Sequence, residues 1–193
     1  MVALLALLIA LAAVGGLIHI GRQTKIVPYL VLADHEGQIF ASGVVKSTGA
    51  LPPKIIRAAI AHFITDSRTV TPDVSLQQKA VFRVYAMLSP HEPARAKMDA
   101  WMKDESNPIR RAEHKVVSVE IKSVMQISQD TWQVQWKEHV SDRQGNTQSA
   151  VQMQAILTVS IAETTADTTE EQLSMNPTGL YVRHFVWSHV ADD

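Results

Sequence analysis

Apolar and polar residues alternate most regularly between Val116 and Ile161, where the pattern predicts three consecutive antiparallel strands. Val151, Met153, Ala155, Leu157, Val159 and Ile161 are apolar at every second position, with Gln152, Gln154, Thr158 and Ser160 between them. A period of two sends successive side chains to opposite faces, so this segment reads as a half-buried strand. Trp132, Val134 and Trp136 against Gln133, Gln135 and Lys137 repeat the pattern one strand earlier. The first strand assigns Val117, Val119, Ile121, Met125 and Ile127 to one face and Ser118, Glu120, Lys122 and Gln126 to the other. Short polar connections at 128–130 and 142–146 supply the turns. Such a sheet has one apolar face that something must cover.

The period changes to that of a helix upstream. Ile55, Ile56, Ala59, Ile60, Phe63 and Ile64 form one stripe after Pro52-Pro53, a pair suited to a helix start. A second stripe, Ala80, Val81, Val84, Tyr85 and Leu88, follows Asp73 and Ser75, either of which can cap it. A third and shorter helix carries Met98, Trp101 and Met102 and ends at Asn107-Pro108. Pro28 to Ala41 reads as a strand broken by a turn at Asp34-His35-Glu36-Gly37. Helices followed by a run of antiparallel strands predict an α+β domain, with about three helices packed on one sheet face.

Downstream, residues 162–175 are Thr-rich and acidic, with Glu163, Asp167, Glu170 and Glu171, and read as a solvated flexible loop. Asn176-Pro177-Thr178-Gly179 then places Asn, Pro and Gly at the positions that a type I turn favours. The turn launches a last strand, Leu180 to His189. Leu180, Val182 and Val186 are expected on one side of it, and Tyr181, Phe185 and Trp187 on the other. Apolar residues on both sides imply a central strand or a partner surface.

Met1 to Ile20 carries no charged side chain. Twenty residues at helical rise span roughly 30 Å, the hydrocarbon thickness, so 1–21 is expected to be a transmembrane helix and 22–193 one domain. A cleaved signal peptide would have a basic start and an apolar run of about 7–15 residues, which fits this segment less well. Small residues four apart, Ala12 and Gly16, are compatible with close helix approach and equally with ordinary membrane-helix composition. Arg22 and Lys25 alone would hold the domain in the cytoplasm, but two charges leave the topology open.

Composition narrows the chemistry. With 18 basic and 19 acidic residues, the balance argues against broad nucleic-acid binding. The absence of cysteine removes disulfides, thiol nucleophiles and thiolate metal sites. Eight histidines include no H-E-x-x-H and no pair at helical i, i+4 spacing, so no metal is expected.

Two stretches carry a family resemblance. GRQTKIVPYLVLAD, from Gly21 to Asp34, and NPTGLYVRHFVWS, from Asn176 to Ser188, with a lone membrane helix and helices before a sheet, resemble the TrbF-like inner-membrane assembly factors of bacterial type IV secretion and conjugal transfer systems. The similarity covers essentially the whole chain, and the family's Asn-Pro-x-Gly motif falls on Asn176, Pro177, Thr178 and Gly179. It implies a nuclear-transport-factor-like cone, in which a curved antiparallel sheet wraps around helices. It further implies a periplasmic domain behind a single inner-membrane pass, which links other secretion subunits, self-associates, and has no enzymatic activity or cofactor. The resemblance, not Arg22 and Lys25, sets the expected orientation.

A cone with an open mouth can also host an enzyme or a small-ligand site. The candidate constellation would be a carboxylate base at Asp66 with Tyr85, or His62, facing an apolar pocket. Asp66 sits at a helix end beside Ser67 and Arg68, as a solvated residue would, and Tyr85 belongs to a core stripe. Lys103, Arg110 and Arg111 form a modest basic group of the kind that usually marks a solvated end. The better expectation is a partner-binding turn at Asn176, Pro177, Thr178, Gly179 and Tyr181, with Gly179→Arg sparing the fold while blocking assembly.

Overall fold

A computed structural model describes residues 29–33, 39–44, 51–103, 106–162 and 174–190. The expected membrane helix at 1–21, the turn at 34–37 and residues 163–173 of the acidic loop lie outside the described residues. Among the described residues, no helix is long and apolar enough to cross a membrane. Strands β1 (Tyr29–Ala33) and β2 (Ile39–Val44) form an antiparallel pair, with Tyr29 opposite Val44, in a first unit that ends at Lys46.

The second unit, from Ser47 onward, begins with α1 (Pro53–Arg68), whose proline occupies a first-turn position where no backbone donor is needed. α2 (Val74–Ala86) is capped by Asp73, which accepts from the Leu76 amide at 3.0 Å. α3 (Pro93–Lys103) precedes a single-turn helix, α4 (Pro108–Arg111), which the periodicity did not predict because four residues carry no stripe. Then come β3 (Val116–Gln126), β4 (Thr131–Ser141), β5 (Thr147–Ile161) and β6 (Leu180–His189), hydrogen-bonded in that order and all antiparallel.

Helices cover one face of this sheet. Trp132, Val134 and Trp136 of β4 and Met153, Ala155, Leu157 and Val159 of β5 are buried against Ile60, Phe63 and Ile64 of α1 and Val84 of α2. The interior is filled by large side chains, with Phe63 and Phe185 packed edge to face at 6.0 Å.

Two β-bulges correct the predicted faces. The β3 register slips between Ile121 and Ser123, so Val124 takes the inward place and Met125 turns out, 50% exposed. A second slip, opposite Thr158 and Val159, inserts one residue in β6 between Val182 and His184. Leu180, Val182 and Phe185 therefore share the core side, whereas Val186 is 47% exposed on the outer side. An extra residue in one strand moves everything after it to the other face, and a strict period of two cannot register it.

An ion pair is buried where α1 meets the sheet. Arg68, the last residue of α1, donates from Nε and Nη2 to the two Glu138 oxygens at 2.6 and 3.1 Å, with both side chains about 7% exposed. The indole of Trp136 donates to Glu138 Oε1 at 2.9 Å. The guanidinium also lies over the rings of Trp101 and Trp187, at 4.8 and 5.1 Å. Two residues on, Val70 and Val117 exchange backbone hydrogen bonds at 2.9 and 3.0 Å and bind the end of α1 to β3.

Two measurements follow. Leu157→Ala, at a fully buried position, is expected to cost about 2–5 kcal/mol in chemical unfolding, and a loss under about 1 kcal/mol would contradict an inward Leu157. Glu138→Leu strands a buried guanidinium and is expected to cost about 3–5 kcal/mol, while the double variant Arg68→Met with Glu138→Leu recovers much of it. A double variant as unstable as the sum of the singles would show that the pair does not act as a unit.

Candidate partner-binding turn and adjoining groove

The Asn176–Gly179 turn closes through a hydrogen bond from the Gly179 amide to the Asn176 carbonyl at 3.1 Å. Asn176 is 7% exposed, and its amide nitrogen donates to the carbonyls of Ala86 at 3.2 Å and Leu180 at 2.9 Å. Its oxygen accepts from the Thr178 hydroxyl at 3.0 Å, and the hydroxyl oxygen in turn accepts from the Leu180 amide at 3.3 Å. Asn176 thus ties the turn to the end of α2 and is not itself a surface group. Pro177 is exposed, Thr178 and Tyr181 are half-buried, and Met175 beside them is 40% exposed.

Gly179 corrects one expectation. Its φ is +62°, and a Cβ there would stand 2.9 Å from the carbonyl oxygen of Ala162. The Ala162 amide also donates to the Gly179 carbonyl at 2.9 Å, so the two strands are pinned together at this point. Gly179→Arg would meet both a left-handed backbone and a clash with main chain, and cannot spare the fold.

The turn forms one wall of a groove of about 480 Å³. α1 contributes Ile55, Ala58, Ala59, His62 and Asp66 to it, and α2 contributes Arg83. Asp66 accepts from Arg83 Nε and Nη2, both at 2.7 Å, and this pairing is the first cause holding the Arg83 guanidinium above its ordinary pKa. The proposed acid–base constellation is split. His62 and Asp66 face the groove, but Tyr85 does not line it; its hydroxyl donates to Asp99 at 2.7 Å on α3. Burial first, then that hydrogen bond, pushes the Tyr85 phenol up to about 12, and Arg95 lies 4.4 Å over its ring. These are the marks of a helix-to-helix strut.

Sequence reading missed Arg83 and Met175 as groove residues. Nothing in the chain signals that Arg83 meets Asp66 seventeen positions away. Of the basic group, Arg111 is half-buried near the Arg68–Glu138 pair, and burial, then Arg68, lowers its pKa against the pull of Glu138. Among the described residues, no group of three His, Cys, Asp or Glu is placed to hold a metal.

Removing a buried amide and exposing its partners has a definite consequence. Asn176→Ala is expected to lower stability by about 1–3 kcal/mol, whereas Pro177→Arg stays within about 0.5 kcal/mol of the parent. Equal losses in chemical unfolding would place Pro177 in the folding role assigned to Asn176.

The family model described as VirB8 protein matches residues 1–190. A conjugal transfer protein TrbF from Rhizobium radiobacter is 30% identical over 179 residues, 93% of this chain and 80% of that protein. The soluble domain of TrwG of the type IV secretion machinery from Bartonella grahamii superposes with a TM-score of 0.65 at 10% identity. That match covers 74% of this chain and 97% of the TrwG domain. VirB8 of Agrobacterium tumefaciens gives 0.61 at 14% identity over 75% and 99% of the two chains. The solved domains share the fold over 74% and 75% of this chain, and the family match runs through residues 1–190. The chain belongs to the VirB8 protein family.

Proposed function

We propose that this protein is a non-enzymatic assembly component of a bacterial type IV secretion channel used for conjugal transfer. In this reading residues 1–21 form a single inner-membrane helix, and 22–193 form a periplasmic portion that contacts other secretion subunits and copies of itself. The observation that carries the reading is the 30% identity to a conjugal transfer protein along 93% of the chain. Two features of the domain support the absence of catalysis. Its interior is packed with tryptophan and phenylalanine, and the carboxylate in its groove is already held by an arginine.

Partner contact is assigned to the exposed part of the 176–179 turn, Pro177 and Thr178, with Tyr181 beside it. Asn176 and Gly179 act in holding that surface in place. An apolar proline at a rigid corner offers contact area with little entropy to lose on binding.

A deletion strain carrying Pro177→Arg is expected to fall in transfer by about tenfold or more, the effect of losing an interface anchor, with the protein present at parental levels. A reporter active only outside the cytoplasm, fused after Asp193, is expected to be active. Full transfer by Pro177→Arg would move the contact elsewhere on the domain, and a silent fusion would reverse the topology.

A further inference from the structure

Lys103, Arg110 and Arg111, the basic group of the sequence, stand where the last turns of α1 and α3 meet α4 and the start of β3. Asn107 builds this corner. Its side chain donates to the Met102 carbonyl at 2.8 Å and accepts from the Ile109 amide at 2.9 Å. The Lys115 amide then donates to the Arg111 carbonyl at 3.0 Å, and β3 begins at the next residue. Lys103 and Arg110 are exposed, Ile109 beside them is 47% exposed, and Arg111 is half-buried.

The corner is short of acceptors. Arg111 lies close enough to Arg68 and Glu138 to feel both charges, but both Glu138 oxygens are already engaged by Arg68 and the Trp136 indole. Trp101, whose ring the Arg68 guanidinium covers, has a buried indole nitrogen without a hydrogen-bond partner. Among the described residues, Lys103, Arg110, Arg111 and Lys115 form no ion pair, and Glu113 meets His114 at 3.9 Å. Exposed cations such as Lys103 and Arg110 need no partner at a helix end. Arg111 differs, because burial beside a like charge opposes its ionised form and no hydrogen bond to a carboxylate offsets that.

Charge selects the occupant. The planar fork of a guanidinium is complementary to a carboxylate, and such pairs are strongest where water is partly excluded. A phospholipid surface instead attracts clusters of about 4–8 exposed basic residues and gains nothing from a single half-buried one. The chain's own acidic stretch is out of reach. It leaves β5 at Ala162 and rejoins the chain before Leu180, whereas Val116 and Ser141, next to the basic corner, lie at the opposite end of the sheet. Strand β4 spans roughly 30 Å between those ends, and residues 163–175 extend at most about 25 Å out and back. We propose that this corner takes an acidic segment of a partner protein, with one carboxylate paired to Arg111, further acidic groups near Arg110 and Lys103, and an apolar residue on Ile109.

This surface and the 176–179 turn are at opposite ends of the sheet. Its test reads peptide binding and not transfer, so either proposal can fail alone.

The full chain, held in nanodiscs of phosphatidylcholine, is titrated with a short dye-labelled peptide of glutamate and leucine. Phosphatidylglycerol vesicles and a single-stranded oligonucleotide are then offered as competitors. Arg111→Gln is expected to weaken peptide binding by about tenfold or more, the loss of charge-assisted hydrogen bonds. Its thermal unfolding midpoint is expected to hold or rise, because a like charge beside Arg68 has gone. Arg110→Gln, at an exposed position, is expected to weaken binding by about threefold with an unchanged midpoint. Arg57→Gln, an exposed arginine near the start of α1, removes the same net charge and is expected to change binding by less than about twofold. Failure of the parent chain to bind the peptide, equal losses for Arg111→Gln and Arg57→Gln, a lowered midpoint for Arg111→Gln, or displacement of the peptide by vesicles or oligonucleotide would each overturn the proposal. Asp104 and Glu105 lie outside the described residues, and binding about tenfold tighter after Asp104→Asn with Glu105→Gln would show that the chain fills the site itself, overturning it too.

Discussion

The buried pair of Arg68 and Glu138 fixes where helix and sheet meet. Two charges removed from water are tolerated only when their geometry is close to ideal and their remaining hydrogen-bonding capacity is used. Here the carboxylate receives two guanidinium donors and an indole N–H, while tryptophan rings lie against the guanidinium plane. A pair so enclosed has little freedom to slide, and it anchors the last turn of α1 over the middle of β4. The main-chain exchange between Val70 and Val117 then continues the attachment onto β3. Because α1 also supplies most of one groove wall, the pair at its last residue helps to set the geometry facing the Asn176–Gly179 turn.

Much of this architecture was legible in the order of residues. Strict alternation through β4 and β5 placed Trp132, Val134, Trp136, Met153, Ala155 and Leu157 on the buried side, where they are found. Pro53 and Asp73 marked helix starts by chemistry that needs no tertiary information. The failures came where one extra residue was inserted in a strand. Met125 was grouped with Val117, Val119 and Ile121, and Val186 with Leu180 and Val182, because a period of two assumes an unbroken ladder, and neither bulge carries a glycine to announce it. The ion pair was illegible for another reason. Arg68 and Glu138 are seventy residues apart, and nothing local distinguishes a buried arginine at a helix end from a solvated one.

At the turn, sequence located the segment but could not divide its labour. Asn, Pro and Gly at fixed offsets identify a turn from backbone preferences alone. Which of them is a strut and which a surface depends on what lies across from each, and those neighbours are Ala86, Leu180 and Ala162. Asn176 and Gly179 face inward to main chain, and Pro177 is left to meet whatever approaches. Mutations across such a motif should not be read as a single phenotype. Some report folding and others report contact.

The hydrogen bond between Ala162 and Gly179 bears on how the chain can vary in length. It joins the end of β5 to the start of β6 before the intervening segment begins, so that segment is a closed excursion from a fixed base. Closing a longer excursion from the same base costs little, about 0.6 kcal/mol for each doubling. Insertions after Ala162 and before Asn176 can therefore grow or shrink without altering the register of the sheet, and an epitope or a fluorescent domain placed there would be carried as cargo. The tolerance ends at the base itself, where glycine alone fits.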